Sequence, residues 1–491
     1  GAKQEFGGNF MSYRDFREFI AVAEQQGLCR RVTKPVDVTW EPASMTKWAF
    51  QALAEADRFG LLFDNVEGSE FALGTGILGA SRRSYALGLG VEEDEINGLW
   101  EKALVDPVQP VTVKAAPCQE VIRKGGDARL SDLPIPTWTP GKDAGPYITT
   151  TCMTCDALTA NQNTGVYRTQ VRDDHHVMIN LSPRRHGHDQ ASSWWAQGKA
   201  APIAWVVGAE PAFQMASVAS LVAGDEEMAV AGGLKGAPIE LVKCVTSDIL
   251  VPANAEIIIE GEVLAGELDH EGPFGENLGY MAEGGPKPLA RITAITHRKG
   301  AIYYGLTSQM SPSESTILQS TTNAALARKI LRHDLGEVFV HDVHCNYTYG
   351  GQMAHAVVSM TPQLPGHGRK VGRALAEIST FKRITVVDED VDIRDPIHLD
   401  WAMNTRFNAE TDAVIVDQVH MRFAMDPSVE ARADGEKLGS KLICDATRRF
   451  PEADFSLPPK ATMMKALESW KEAGLPEFEI PRRAQLRIDK S

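Results

Sequence analysis

The chain has 491 residues, 43% of them hydrophobic and 23% charged, a balance typical of a folded enzyme of about three domains. Fifty lysines and arginines stand against 65 aspartates and glutamates, and the net charge of −15 disfavours binding to nucleic acids or anionic membranes. The sequence has no apolar run long enough to cross a membrane, and its seven cysteines are too few for a disulfide scaffold. These features together predict a cytoplasmic protein without a membrane span.

The N-terminal region predicts a small α/β domain over residues 11–115, with Met11 as the expected start of the mature chain. Ser12 and Asp15 resemble a capping box, and apolar residues over 16–23 repeat at helical spacing. The other elements predicted here are strands at 28–32 and 60–64 and a helix near 42–57.

A glycine-rich stretch, Gly74-Thr75-Gly76-Ile77-Leu78-Gly79, has the letters of a dinucleotide-binding fingerprint. That fingerprint requires a strand before it and a regular βαβ unit around it. Only a very short apolar run precedes Gly74, so we interpret the stretch as a turn and predict no Rossmann domain.

Residues 116–310 change to many short alternating runs separated by glycine, proline, asparagine and aspartate, which predicts a β-barrel or sandwich. The run 173–176, Asp-Asp-His-His, has metal-ligand residue types but is better explained as a hairpin turn. A turn at its centre would pair Asn163 with His186 across the two strand ends, near Arg168. Directly opposed residues are close enough to share one ion.

The most informative motif is Glu271-Gly272-Pro273-Phe274-Gly275-Glu276, which places two carboxylates on either side of one aromatic ring in a tight loop. Because two carboxylates held against apolar groups do not both ionise easily, one is expected to keep a proton near neutral pH, as a general acid must. A guanidinium such as that of Arg168 would hold the other one ionised. A surface turn with two unrelated glutamates is the alternative interpretation of the motif alone.

Two further segments have residue types that bind ions. The basic run 182–188 is a natural anion-binding place in so acidic a chain, and an imidazole such as that of His186 can be a neutral metal ligand. Glu226 and Glu227 precede an apolar helical stretch, where acidic residues usually serve the helix dipole. A carboxylate is also what Asn163 and His186 lack to complete a site for Mg²⁺ or Mn²⁺.

The run Ser311-Pro312-Ser313-Glu314 has the features of a helix start and predicts a connector helix over 311–333. Apolar runs interleaved with helical patterns then predict a C-terminal α/β domain over 334–491. We expect its last part to dock as an arm on a partner subunit. The elements predicted in this domain are strands at 337–341, 354–360, 384–387 and 413–416 and helices at 368–379, 396–405 and 460–473.

Taken together, these segments resemble the UbiD family, the reversible decarboxylases that use prenylated FMN. The resemblance rests on motifs found in one order along nearly the whole chain: 163–168 (Asn-Thr-Gly-Val-Tyr-Arg), His186, 227–234, 271–276, 386–392 and 401–406. It implies an α/β (α+β) fold with an N-terminal α/β region, a central flavin-binding split β-barrel domain, a connector helix and a C-terminal α/β oligomerisation domain.

The resemblance also implies roles for individual residues. Arg168, Glu271 and Glu276 would form the catalytic network, with Glu276 as the proton donor. The implied ligands of Mn²⁺ (or Mg²⁺), which would bind the cofactor phosphate with K⁺ nearby, are Asn163, His186 and Glu227, or Glu226 if the helix is shifted by one residue. The other implied cofactor contacts are Val166, Tyr167, Arg168, Arg185 and Lys370, and the implied substrate contacts are Arg185, Ser315 and Leu318. For Arg185, a surface salt bridge is an equal alternative.

The implied reaction is the reversible, non-oxidative decarboxylation of an aromatic or heteroaromatic carboxylic acid, with release of CO₂. The substrate would bond covalently to the cofactor, and a glutamate would donate the proton. A flavin prenyltransferase would supply the cofactor, and the enzyme would be a cytoplasmic homodimer or homohexamer. Two alternatives remain open: a flavin reductase or oxidoreductase on the same split barrel, and a metal-dependent hydrolase that needs no flavin.

Overall fold

The computed structural model describes residues 12–183, 185–219, 221, 226–345, 354–420, 426–429, 437–449 and 454–491. The chain divides into two compact units, residues 1–323 and 324–491, and the division falls within a long helix. Within the described ranges, no helix is long and apolar enough to cross a membrane. All seven cysteines are buried and none forms a disulfide.

The first unit begins with a small sheet flanked by helices. Its first elements are α1 (Phe16–Gln25), β1 (Cys29–Val32), α2 (Glu41–Ala52), β2 (Gly60–Phe63), β3 (Ala72–Thr75), α3 (Arg82–Leu89), α4 (Ile96–Val105) and β4 (Val111–Thr112). The apolar face of α1 is buried as its spacing predicts, but Asp15 rather than Ser12 caps the helix, because its carboxylate accepts a hydrogen bond from Glu18 N at 2.9 Å.

The central part of the first unit is built on a nine-stranded sheet. Its elements are β5 (Val121–Lys124), β6 (Tyr147–Ile148), β7 (Thr151–Cys155), β8 (Gln162–Val166), β9 (Thr169–Val171), β10 (His176–Ile179), α5 (His186–Trp195), β11 (Ala201–Val207), α6 (Pro211–Ser217), α7 (Glu227–Lys235), β12 (Glu240–Lys243), β13 (Leu250–Pro252), β14 (Ile257–Glu271), β15 (Phe274–Gly275), β16 (Met281–Ala282), β17 (Gly285–His297) and β18 (Ile302–Gly305). The strand order is β6-β9-β10-β17-β14-β11-β7-β8, with β5 also paired to β17. Register shifts between the long strands β14 and β17 allow the sheet to curl.

Three smaller sheets complete the described part of the first unit. One has the order β1-β2-β3-β18, so the chain returns to its first sheet after the central domain. The other two have the order β13-β12-β4 and β15-β16. This architecture confirms the predicted mixed α/β class with a central half-barrel sheet.

The predicted hairpin is present, but one conclusion drawn from it is wrong. Strands β9 and β10 pair in antiparallel fashion on either side of the turn that begins at Asp173. The expected pairing of Asn163 with His186 does not occur, because β8 and β9 are separate strands and Asn163 is opposite Thr154 of β7. His186 is instead the first residue of α5.

The glycine-rich loop after β3 binds a carboxylate of the protein itself. The backbone N–H groups of Gly76, Leu78 and Gly79 lie 3.1, 3.1 and 3.3 Å from the Glu314 carboxylate oxygens. The Tyr304 hydroxyl also donates to this carboxylate. Burial raises the pKa of Glu314 to about 7. The loop is therefore a turn, as its sequence context predicts, with its N–H groups aimed at an internal acid.

The connector helix α8 (Glu314–Lys329) begins later than predicted. Ser313 rather than Ser311 accepts the capping hydrogen bond, from Thr316 N at 3.4 Å. A π-helical turn at Ile330–Asp334 follows directly.

The second unit contains a five-stranded sheet in the order β19-β20-β21-β23-β22. Its elements are β19 (Val340–Cys345), β20 (His355–Met360), α9 (His367–Ile378), β21 (Arg383–Asp388), α10 (Pro396–Arg406), α11 (Ala409–Asp412), β22 (Ala413–His420), β23 (Leu438–Asp445), α12 (Lys460–Glu472) and α13 (Arg482–Asp489). One hydrophobic cluster of this unit joins the sheet to α9 and to the end of α8, and a second joins β20 and β21 to α10. Strand β23, which the sequence pattern did not predict, lies between β21 and β22.

Candidate active site

The loop with the two glutamates is held in one conformation by glycine and by a short hairpin. Glu271 ends β14, and Glu276 follows β15, which pairs with β16. Gly272 has φ +97°, and a Cβ on this residue would lie 2.6 Å from Gly284 Cα, so only glycine fits. The two glutamates, which flank Phe274 in the sequence, are therefore held in a loop of restricted conformation.

Arg168 joins the two glutamates. Its Nε and Nη2 atoms each donate to a Glu271 carboxylate oxygen at 2.9 Å, and its Nη1 atom donates to Glu276. The exposed fraction of the side chain is 12% for Arg168, 0% for Glu271 and 28% for Glu276. Burial lowers the pKa of the Arg168 guanidinium, but its hydrogen bond to Glu271 and the charges of both glutamates outweigh burial and raise that pKa. Glu276, the more exposed of the two acids, is the one accessible to a ligand.

Two further side chains support Glu271, and the motifs alone did not identify them. The Tyr147 hydroxyl lies 2.9 Å from Glu271 Oε1 and 3.1 Å from Gln170 Oε1. Gln170 Oε1 also accepts a hydrogen bond from Gly272 N at 2.8 Å. Burial and then the charge of Glu271 raise the pKa of Tyr147, which stays a donor. The sequence did contain a signal for Gln170. Side chains alternate along a strand, so Gln170 is expected on the same face as Arg168, which is two positions before it.

Lys287 of β17 is a second cation near this network. Burial and then the charge of Arg168 lower its pKa, whereas the charges of Glu271 and Glu276 act in the opposite direction. Its ammonium group therefore contributes to the field at both carboxylates.

Tyr167 links Asn163 to the first turn of α5. Asn163 Nδ2 and Gly187 N both lie 3.2 Å from the Tyr167 hydroxyl oxygen. His186, which precedes Gly187, is exposed at the start of the helix. The predicted strand pairing is wrong, but Tyr167 connects the Asn163 side chain to the backbone of the residue that follows His186.

The donor atoms available here suit a divalent cation. Asn163 uses its amide nitrogen in both of its hydrogen bonds, to Thr154 and Tyr167, so its carbonyl oxygen is the atom that a metal ion would take. An amide oxygen, an imidazole and a carboxylate together suit Mn²⁺ or Mg²⁺. Across the described residues, no group of three or more His, Cys, Asp or Glu side chains could hold a metal ion, so a site here depends on the asparagine.

The remaining predicted cofactor residues of the first unit lie at element ends. Glu227 is the first residue of α7 and is half-buried, whereas Glu226 is the exposed residue before it. Arg185 precedes α5, is exposed, and its charge acts on Tyr167. Val166 ends β8 and is 37% exposed.

The predicted substrate residues of α8 are both buried. Ser315 Oγ lies 2.8 Å from Ser308 Oγ, and Leu318 Cγ lies 3.0 Å from where a Cβ on Gly79 would be. Their contact with a substrate stays a prediction.

Lys370 belongs to the second unit. It lies on α9, its side chain is 72% exposed, and its Nζ atom is 2.7 Å from Glu337 Oε1. A contact between Lys370 and a cofactor phosphate likewise stays a prediction.

Three family models match successive parts of the chain. The N-terminal, Rift-related and C-terminal domains of 3-octaprenyl-4-hydroxybenzoate carboxy-lyase match residues 20–103, 109–311 and 316–446. The matched ranges include the motifs at 163–168, 186, 227–234, 271–276, 386–392 and 401–406.

Solved structures of UbiD-class enzymes are similar over nearly the full length. HmfF from Pelotomaculum thermopropionicum in complex with FMN is 31% identical, with 93% of this chain and 100% of that chain covered at a TM-score of 0.82. An evolved dimeric form of HmfF in complex with prenylated FMN is 30% identical, with 91% and 97% covered and a TM-score of 0.80. Vanillic acid decarboxylase from Sedimentibacter hydroxybenzoicus, in its closed form, is 27% identical, with 94% and 99% covered and a TM-score of 0.81.

Proposed function

The chain belongs to the UbiD family of carboxy-lyases, and we propose that it catalyses the reversible, non-oxidative decarboxylation of an aromatic or heteroaromatic acid with prenylated FMN. The observation that carries the proposal is the buried Arg168 guanidinium bound at once to Glu271 and Glu276. The FMN and prenylated FMN bound in the two HmfF structures support the choice of cofactor.

Each residue of the network has a separate task in this proposal. Removal of CO₂ from an aromatic acid leaves electrons that the ring cannot delocalise. Prenylated FMN, to which the substrate would bond covalently, would supply the electron sink. Glu276 gives its proton to the carbon that CO₂ leaves, and takes it back in the carboxylation direction. Arg168 holds Glu276 in place through its bonds to both glutamates, and Tyr147 restrains Glu271.

We further propose that an ion fixes the phosphate end of the cofactor. Asn163, His186 and Glu227 would hold Mn²⁺ or Mg²⁺, with K⁺ nearby, because their donor atoms suit hard divalent ions. The N-terminus of a helix favours anions, so the start of α5 is a suitable place for the cofactor phosphate. A cation held there by His186 would bind the same phosphate. The other residues proposed to contact the cofactor are Val166, Tyr167, Arg185 and Lys370.

His186→Ala is expected to lower the flavin and metal content of the purified protein together, by tenfold or more for the metal, about the loss expected for removing one ligand. The measurement is flavin absorbance and metal analysis of protein co-produced with a flavin prenyltransferase. His188→Ala is the matched control, since His188 lies on the same helix and contacts Asp189 and Trp195. A His186 variant with the full flavin and metal content would contradict this role.

The proposal also includes the assembly and the domain plan. A flavin prenyltransferase supplies the cofactor, and the chain forms a homodimer or homohexamer, for which the dimeric HmfF variant is support. The proposed domains are 11–115, 116–310, the connector 311–333 and 334–491. Light scattering would measure the molar mass of the assembly.

A screen of aromatic acids tests the proposed function. Holoprotein made with a flavin prenyltransferase should release CO₂ from at least one acid without a nicotinamide cofactor, whereas protein made without the prenyltransferase should not. NAD(P)H-dependent reduction of added FMN without CO₂ release would favour a reductase. Flavin-independent hydrolysis that requires only the metal ion would favour a hydrolase.

A further inference from the structure

One helix of the N-terminal sheet places a lysine close to the catalytic loop. Ala43 of α2 packs in one cluster with Trp138, Tyr147 and Phe274, the ring between the two glutamates. Lys47 is one helical turn further along, so it lies on the same face of α2 as Ala43. Its Nζ atom is 3.2 Å from the carbonyl oxygen of Ser308.

Gln309, the residue after Ser308, has a buried side-chain amide that makes no hydrogen bond to the described residues. Gln309 is 4% exposed, and among the described residues neither its Oε1 nor its Nε2 atom has a hydrogen-bond partner. A buried amide without hydrogen-bond partners is unfavourable, because it has lost its bonds to water. Gln309 also has φ +42°, a conformation that is unfavourable for a residue with a side chain. The packing of the described residues does not account for this arrangement, whereas an incoming hydrogen-bonding group would.

Gln309 is adjacent to the catalytic loop. A Cβ on Gly275, the residue before Glu276, would lie 2.9 Å from Gln309 Cγ and would overlap Thr139 Oγ1. The Thr139 side chain is therefore a close neighbour of Gly275 in the same corner. Asp143 fixes this corner, because it accepts hydrogen bonds from Gly275 N at 2.9 Å and Thr139 N at 2.7 Å.

We propose that Lys47 and Gln309 form a subsite beside Gly275 that binds an oxygen substituent, a second carboxylate or a hydroxyl group, on the ring of the aromatic acid. The inference rests on the proposed function and narrows its substrate class. An ammonium group and an amide can both donate to such an oxygen, and Gln309 can also accept from a hydroxyl hydrogen.

The electrostatics of Lys47 agree with this geometry. Removal from water lowers the pKa of the Lys47 ammonium to about 7, and the negative charge of Asp143 opposes this change. Burial raises the pKa of Asp143 despite its hydrogen bonds from Gly275 and Thr139. An anionic substituent would stabilise the protonated lysine, so binding of a diacid takes up a proton. The affinity for a diacid should therefore fall as the pH rises through 7.

The test compares Lys47→Met and Gln309→Leu with Gln51→Met. Gln51 is the matched control, because it lies one turn beyond Lys47 on α2 and bonds the backbone carbonyl of Met310 at 3.2 Å in the same segment. Dissociation constants are measured by calorimetry on the holoprotein with benzoate, isophthalate, terephthalate and protocatechuate, at several pH values. CO₂ release from each acid is recorded in parallel, and thermal denaturation reports folding.

The wild type should bind at least one acid that has a second carboxylate or a hydroxyl group on its ring more tightly than benzoate. Lys47→Met and Gln309→Leu should weaken binding of that acid by about tenfold to a hundredfold and change benzoate binding less than about twofold. Lys47→Met should also lose the pH dependence of diacid binding without loss of thermal stability, because it removes a poorly solvated charge. Gln51→Met should keep the preference.

Two results would overturn the subsite. One is a wild type that binds benzoate as tightly as each of the acids with a second oxygen substituent. The other is a preference for those acids over benzoate that survives in both the Lys47 and the Gln309 variants. A wild type that binds the acids without releasing CO₂ from any would contradict the proposed function instead. The binding comparison would still decide the subsite in that case.

Discussion

Replacement of Glu276 by glutamine is expected to lower kcat by about a hundredfold to ten-thousandfold while the protein still purifies with its flavin. Glutamine keeps the shape of the side chain and can still accept a hydrogen bond from Arg168, but it has no proton to give. The cofactor should remain, because the proposed ion site at Asn163 and His186 is on other elements. Turnover and flavin absorbance of the same preparation measure both effects.

Glu283→Gln is the matched control for that substitution. Glu283 is an exposed acid that follows β16, on the far side of the hairpin from Glu276. It should retain nearly full activity. An unchanged kcat in the Glu276 variant would remove Glu276 as the proton donor.

Arg168→Ala is expected to reduce both activity and stability. Glu271 is fully buried, and loss of the guanidinium that binds both of its oxygens leaves a buried charge with Tyr147 as its remaining recorded side-chain partner. Breaking a buried pair from one side costs about 3–5 kcal/mol of the free energy of unfolding. The activity should fall strongly as well, because Glu276 loses the hydrogen bond from Arg168 that positions it. Denaturant unfolding and kcat are the measurements.

Two comparisons separate the electrostatic effect from the catalytic one. Adding Glu271→Gln to Arg168→Ala should recover part of the stability, since it removes the unpaired charge, but none of the activity. Arg291→Ala, which breaks an exposed pair with Glu262, should cost less than about 1 kcal/mol. Wild-type kinetics in the Arg168 variant would show that the network has another role.

The sequence could predict those parts of the site whose residues are close together in the chain. Glu271 and Glu276 lie in one short loop whose glycines and proline limit its conformation, so their proximity follows from the motif. Arg168 was placed with them by family resemblance, and the ion pairs of Arg168 agree with that placement. The apolar repeat of α1 likewise predicted its buried face.

The parts that could not be predicted depend on distant contacts. Lys47 meets Ser308 across 261 positions of the chain, and no periodicity indicates such a contact. The pairing of Asn163 was mistaken because alternation does not reveal where one strand ends and another begins. From its position, Glu314 was expected to cap its own helix. Its carboxylate instead binds the loop at Gly76, because several N–H groups in that loop stabilise it more than a single capping bond would. Strand β23 was missed because polar residues interrupt its apolar pattern.

The most direct test of the central claim is the position and source of the hydrogen in the product. Holoprotein incubated in D₂O with an acid that it decarboxylates, without nicotinamide, should form a product with one deuterium at the carbon that lost CO₂, and the Glu276→Gln variant should form almost none. Magnetic resonance of the product measures this. Deuterated product made at the same rate by the variant, or CO₂ release that continues in protein without the prenylated flavin, would contradict the account.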